Sequence, residues 1–328
     1  MKELNWKIVG VIAVLGVLLA VLVATVTRPA GGSGEKPSVN SGNAPLAHGK
    51  AQERLSRFAR NIRKVTAGST ESQDLLVHLE KELRSGDEDR IADALTQTPG
   101  LDDAELLSLA SVGLQVIRQP EYRQDLVVAL RNVAGRESLT ILADALKDED
   151  PAVRMAAMTS LAVVNRETEN AYEEAEKLLE QGEKLPDETA LPQMPTEEDL
   201  AKIGEGLLSI ANDQNEDVRK ELNSVLTTMD GELQVVGFQA AANSQYPEVR
   251  KDGLADLTGE MGKDKVGLLF SYLNDQDEEI RGQAESFCEH FFGESFGSYQ
   301  EAASWWKGNA ERFNEDMSEK DEGVLDVE

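Results

Sequence analysis

Histidine, cysteine and the turn aspartates are the residues of this chain whose types could do chemistry. His48, His78 and His290 are scattered, without the spacing of metal ligands. Cys288 is the single cysteine, so neither an intrachain disulfide nor a thiolate metal cluster can be built. At a periodic apolar position it reads as a buried small hydrophobe. Asp148 with Asp150, and Asp213 with Asp217, place hard oxygens on turns where calcium could be held. No stretch supplies the glycine-hinged loop of an EF-hand, so helix capping accounts better for these carboxylates. The P-loop and the glycine-rich dinucleotide fingerprint are both missing from the sequence. The expectation is no catalytic residue, no metal, no cofactor and no enzymatic activity.

The elements that position the turn aspartates announce themselves through a repeat. A β-branched or aromatic residue followed by arginine recurs as Tyr122-Arg123, Val153-Arg154, Val218-Arg219, Val249-Arg250 and Ile280-Arg281. The arginines are 31, 65, 31 and 31 residues apart, and 65 is two periods plus three residues. Three residues after each arginine stand Leu126, Ala157, Leu222, Gly253 and Ala284, and seven after stand Leu130, Leu161, Leu226, Leu257 and Cys288. Those offsets fall on one helical face. Leu146, Ala211, Ala242 and Leu273, eight residues before their arginines, belong to the buried face of a preceding helix. Each unit is therefore a helix hairpin that must stack on its neighbours to cover its apolar face. Asp150, Asn215 and Asp277 can cap the second helices, and Pro120, Pro151 and Pro247 suit their first turns, where no N–H is required.

The pattern L-x-D-x-x-P-x-V-R-x-x-A at Leu146, Asp148, Pro151, Val153, Arg154 and Ala157 resembles the HEAT repeat, and the period resembles short bacterial HEAT and phycobilin-lyase-type repeats. The resemblance covers about residues 70 to 292. It implies a ladder between successive repeats built from a turn aspartate and the arginine six residues later: Asp148 with Arg154, Asp213 with Arg219, and Asp275 with Arg281. Ser244 replaces the aspartate before Arg250 and should interrupt the ladder there. The HEAT enzyme deoxyhypusine hydroxylase holds its irons with His-Glu pairs. No histidine here is followed by glutamate, which argues against that chemistry. HEAT arrays serve mostly as scaffolds.

Residues 1–7 form a short polar tail, and residues 8–27 are twenty uncharged residues rich in Val, Leu and Ala. As a helix these would measure roughly 30 Å, enough to cross a bilayer core. The expectation is one uncleaved transmembrane helix, with a single-pass topology and a periplasmic or otherwise extracytoplasmic body. Gly16, Ala20 and Ala24 lie on one face and would permit self-association. Residues 28–49 read as a flexible linker and residues 50–66 as a basic amphipathic helix.

The formal net charge is -28. Up to Val65 there are ten Lys or Arg against three Glu, a net of +7, which leaves -35 for the remainder. A body so acidic repels phosphate backbones and suits a basic protein partner, not nucleic acid. Residues 166–199 carry twelve acidic and three basic side chains and read as an insertion in the array, a helix through Leu179 followed by a loop containing Pro186, Pro192 and Pro195. After Cys288 the aromatics gather, and Trp305 and Trp306 serve either a hydrophobic C-terminal cap or a partner-binding patch. Residues 314–328 read as an acidic disordered tail.

The sequence thus points to an all-α chain, an α-solenoid of HEAT-like helix hairpins over residues 67–313 preceded by one N-terminal transmembrane helix. The function expected is a membrane-tethered scaffold for protein-protein interaction. The alternative is a HEAT-scaffold lyase or other enzyme acting on a bound small molecule.

Overall fold

The computed structural model describes residues 70–96, 101–181 and 191–320. These residues form thirteen α-helices, and the only β pairing among them is an isolated bridge between Phe313 and Glu319. They fall into two compact units, one reaching to Asp256 and one starting at Leu257.

In the first unit the helices are α1 (Thr70–Leu83), α2 (Glu88–Thr96), α3 (Asp103–Val116), α4 (Pro120–Ala129), α5 (Arg136–Ala145), α6 (Pro151–Glu180), α7 (Glu197–Ala211), α8 (Glu216–Leu226) and α9 (Gly231–Ala242). Helix α10 (Pro247–Gly259) carries the chain towards the second unit. Helices α1, α3, α5, α7 and α9 pack each on the next to form one layer, and α2, α4, α6 and α8 form the other. Hairpins packed in this way bury their apolar faces against one another. Leu126, Leu130, Val153, Leu161, Val218 and Leu226 are all buried.

Local chemistry sets the helix ends. Proline opens α4 and α6, where its missing N–H costs nothing. Asp150 and Asn215 accept the N–H groups of Ala152 and Asp217 to cap α6 and α8. Reciprocal capping boxes start α3 (Asp102 with Glu105) and α7 (Thr196 with Asp199). Gly206 of α7 lets that helix approach α5 closely. A Cβ there would stand 3.0 Å from the Ala143 carbonyl oxygen.

The second unit holds α11 (Val266–Ser271), α12 (Glu278–Phe292) and α13 (Tyr299–Asn309), with short 3-10 turns at Lys263–Lys265, Tyr272–Asn274 and Ala310–Arg312. Gly293 ends α12 in the left-handed region at φ 68, its N–H donating to the Glu289 carbonyl. Phe270, Phe292, Phe296 and Phe313 make its aromatic core. The chain from residue 314 to 320, assigned by sequence to the acidic tail, doubles back here. The Asn314 N–H donates to the Ser318 carbonyl and the Lys320 N–H to the Arg312 carbonyl. Gly282 lies inside α12 with nothing within 4 Å of where a Cβ would stand. Gly282→Ala is therefore expected to stabilise the protein by about 0.5–1 kcal/mol, read as a raised thermal midpoint.

The expected solenoid led by a transmembrane helix is corrected to an all-α fold. Among the described residues no helix is long and apolar enough to cross a membrane. Helix α6 has the length, thirty residues, but carries Arg154, Arg166, Glu167, Glu169 and Glu173 among others, which hydrocarbon would not accept. The stretch expected to be the anchor, residues 8–27, lies outside the described residues, as do the linker (28–49), the basic helix (50–66) and residues 321–328. The single-pass topology, the extracytoplasmic body, the membrane as partner and self-association through Gly16, Ala20 and Ala24 rested on that anchor. They find no support in the described helices.

Candidate functional site

The recurrent arginines share one contact. One Nη1 donates to the main-chain carbonyl six residues back: Arg123 to Ile117, Arg154 to Asp148, Arg219 to Asp213, Arg250 to Ser244 and Arg281 to Asp275. The remaining fork of Arg123 and of Arg154 reaches the next hairpin. Arg123 donates through Nε and Nη2 to Asp148, both at 2.8 Å, and Arg154 likewise to Asp213 at 2.6 and 3.0 Å. A planar guanidinium matched to two carboxylate oxygens is the strongest geometry open to such a pair. The carboxylates of Asp148, Asp213 and Asp275 each accept from the N–H two residues on, which belongs to Asp150, Asn215 and Asp277. Each of those three caps the helix that follows. Within one turn, then, the arginine meets the aspartate's main chain. At Asp148 and Asp213 the carboxylate belongs to the arginine of the preceding hairpin.

At Ser244 the chain solves the missing carboxylate differently. The Ser244 hydroxyl donates to the Ala211 carbonyl and accepts the Tyr246 N–H. Arg219 finds substitutes: its guanidinium lies 3.8 Å above the Tyr246 ring, and Nη2 donates to Glu248 at 2.9 Å. Its Nε, which in Arg123 and Arg154 meets a carboxylate, is buried without a partner.

The acidic stretch from Arg166 onwards, assigned by sequence to an insertion, starts as a continuation of α6. Side chains on this part of the helix fasten what comes before and after. The Thr168 hydroxyl accepts the Gly135 N–H, the Tyr172 hydroxyl donates to the Pro192 carbonyl, and Asn165 accepts the Asp230 N–H. Nearby, Arg136 donates to Asp199 at 2.5 Å. The Thr196 hydroxyl first, then its N–H and Arg136, outweigh the opposing effect of burial and hold the Asp199 carboxyl at about 2, below the ordinary 3.8. A carboxylate with a lowered folded value contributes stability above its unfolded value and loses it as pH falls through the folded one. The loss is expected between about pH 4 and 2, on the order of 1 kcal/mol after solvent screening, and Asp199→Asn should flatten that limb of an acid-denaturation curve.

Glu169 lies in the opposite situation. It is half-buried, and burial first, then Asp230, Glu173 and Glu232, raise its carboxyl above the usual range. Glu176, two turns further along α6, is buried with its Oε1 unpartnered. Neither residue was singled out in the sequence. Glu169 meets Asp230 across 61 positions, and no local spacing signals that meeting.

The remaining sequence candidates sit apart. Trp305 and Trp306 of α13 are half-buried and stack with Phe292, Phe313 and, for Trp305, Phe296. Cys288 is buried, and that burial, helped by Glu285, pushes its thiol up to about 12, leaving it unreactive at neutral pH. His78 is exposed and lies 3.7 Å from Glu82, and His290 packs edge-on to Phe291. His48 lies outside the described residues. Among the described residues no group of three or more His, Cys, Asp or Glu could hold a metal ion. Two open recesses exist, about 500 Å³ beside Ile117, Arg118, Arg123 and Glu149, and about 340 Å³ beside Asn223, Thr227 and Asp252.

No family model matches the sequence, and no curated protein matches it. Among solved structures the chain is similar to human deoxyhypusine hydroxylase in complex with glycerol, at 16% identity and a TM-score of 0.27, over 69% of this chain and 99% of that one. A likeness of that strength carries no argument about fold or activity. The identification as a membrane-anchored HEAT-repeat protein is corrected accordingly. What stands is an all-α fold with a weak, low-identity likeness to a HEAT-repeat enzyme.

Proposed function

We propose that this chain is a binding protein without catalytic activity of its own, and that its partner is a basic polypeptide. The observation that carries this reading is where the positive charge goes. Arg123 and Arg154 are committed to carboxylates of the next hairpin, and Arg219 to Glu248 and the Tyr246 ring. The carboxylate excess of the body, -35 past Val65, is therefore left facing outwards with few cations to balance it. Such a surface draws in basic chains over several ångströms and repels nucleic acid. The earlier expectation of a membrane-tethered scaffold is not carried forward, since no described helix supports the tether. No observation favours a lyase.

Isothermal titration of the full chain with decalysine and with decaglutamate tests the reading. At about 50 mM salt decalysine should bind, and the affinity should fall steeply as salt rises. Equal binding of decaglutamate, or none of decalysine, would show the reading to be wrong.

A further inference from the structure

The open recess of about 340 Å³ lies in the seam between α8 and α10, with Asn223, Ser224 and Thr227 on one side and Asp252 on the other. It falls where the arginine ladder is interrupted. Bidentate pairs tie α4 to the turn before α6 and α6 to the turn before α8. Arg219, one turn before Asn223, reaches across this seam only to the flexible Glu248 and the Tyr246 ring, and its Nε is buried without a partner.

The recess is rich in acceptors and poor in donors. The Asn223 Oδ1 is buried with no hydrogen-bond partner, which is unfavourable unless a donor arrives to use it. Asp252 is exposed and forms no ion pair among the described residues. It accepts from the Asn223 Nδ2 at 3.4 Å, a length at which little holds the amide in place. The exposed Thr227 hydroxyl donates at 3.5 Å to the Ser224 carbonyl and keeps its lone pairs for an incoming donor.

A metal ion does not suit the recess, since no described group of three or more His, Cys, Asp or Glu could hold one. An alkyl ammonium does. It carries three donors on a flexible stem, and the Asp252 carboxylate, the Asn223 Oδ1 and the Thr227 Oγ1 are three acceptors. A guanidinium is matched instead by two coplanar carboxylate oxygens, as Asp148 and Asp213 supply to Arg123 and Arg154. We infer that this recess takes a lysine side chain of the partner, its ammonium seated between Asp252 and Asn223. The incoming ammonium replaces the long amide-carboxylate contact, and the freed amide turns its oxygen towards it. The inference rests on the basic-partner reading and names the point at which that partner is held.

The test titrates decalysine into the full chain and its variants. Asn223→Leu alters no charge, so the long-range pull of the acidic surface is untouched, and it should weaken binding by about 5-fold. Asp252→Asn should weaken it by about 10-fold, and the charge-matched Glu137→Gln, an exposed acid on α5, by less than about 2-fold. Should Asn223→Leu fail to fold, Thr227→Val at the exposed rim takes its place with a loss of about 3-fold. An unchanged affinity in the uncharged variant, or a loss in Asp252→Asn no larger than in Glu137→Gln, would overturn the lysine site while leaving the basic-partner reading intact. Failure of the wild-type chain to bind decalysine would overturn both.

Discussion

Asp213→Ala is expected to destabilise the protein by about 3 kcal/mol or more, the largest effect of any single substitution in the turns. Asp213 and Arg154 are both largely buried, with side chains 8% and 14% exposed, and are joined by two charge-assisted bonds. Removing the carboxylate leaves the Arg154 Nε and Nη2 without acceptors in a site that water reaches poorly. It also frees the Asn215 N–H, and with it the turn that aims Asn215 at the start of α8. Breaking one side of a buried pair costs more than the pair itself contributes, because the surviving charge stays buried. Asp213→Asn separates the two contributions, since an amide oxygen can still accept from Asn215 but offers Arg154 no charge. Urea denaturation should place it between wild type and alanine. Asp148→Ala should cost less, because Arg123 keeps Glu149 at 3.2 Å and the Ile117 and Arg118 carbonyls. A loss below about 1 kcal/mol for Asp213→Ala would mean that the hairpins are held by apolar burial alone.

Gly206→Val is the second large effect, at about 2–3 kcal/mol of destabilisation with a matching drop in thermal midpoint. The added Cβ would stand 2.9 Å from the Leu146 Cδ1 and 3.0 Å from the Ala143 carbonyl oxygen. A leucine tip can rotate away. A helix carbonyl cannot, so α5 and α7 would have to separate, and the β-branch removes the rotamers that might evade it. Gly237→Ala supplies the contrast. Its Cβ would meet the tips of Leu226 and Met229, which can move, and the cost should be smaller.

The starts of α4, α6 and α10 could be read from Pro120, Pro151 and Pro247, and the caps of α6 and α8 from Asp150 and Asn215. Both signals are local: a missing N–H and a short acceptor act within one turn. The partners of the arginines were harder. The six-residue spacing linking Asp148 to Arg154 suggests a pair inside one turn, whereas the carboxylate of Asp148 goes back to Arg123. Arg123 falls outside the ladder pattern because no aspartate precedes it by six residues; that position is Ile117. The substitution of Tyr246 and Glu248 for the missing aspartate depends on a ring and a flexible carboxylate converging in space, which no repeat register predicts.

In the acidic run from Arg166 a helix through Leu179 was legible in the sequence, and Thr168, Tyr172 and Ala175 keep a buried or half-buried face along it as α6 continues to Glu180. A long apolar stretch near the start weighed heavily in the expected function, and it lies outside the described residues.

Titration of the full chain with decalysine over a salt series tests the central claim most directly. Binding that weakens steeply as salt rises is expected. Absence of binding, or an affinity indifferent to salt, would contradict the account.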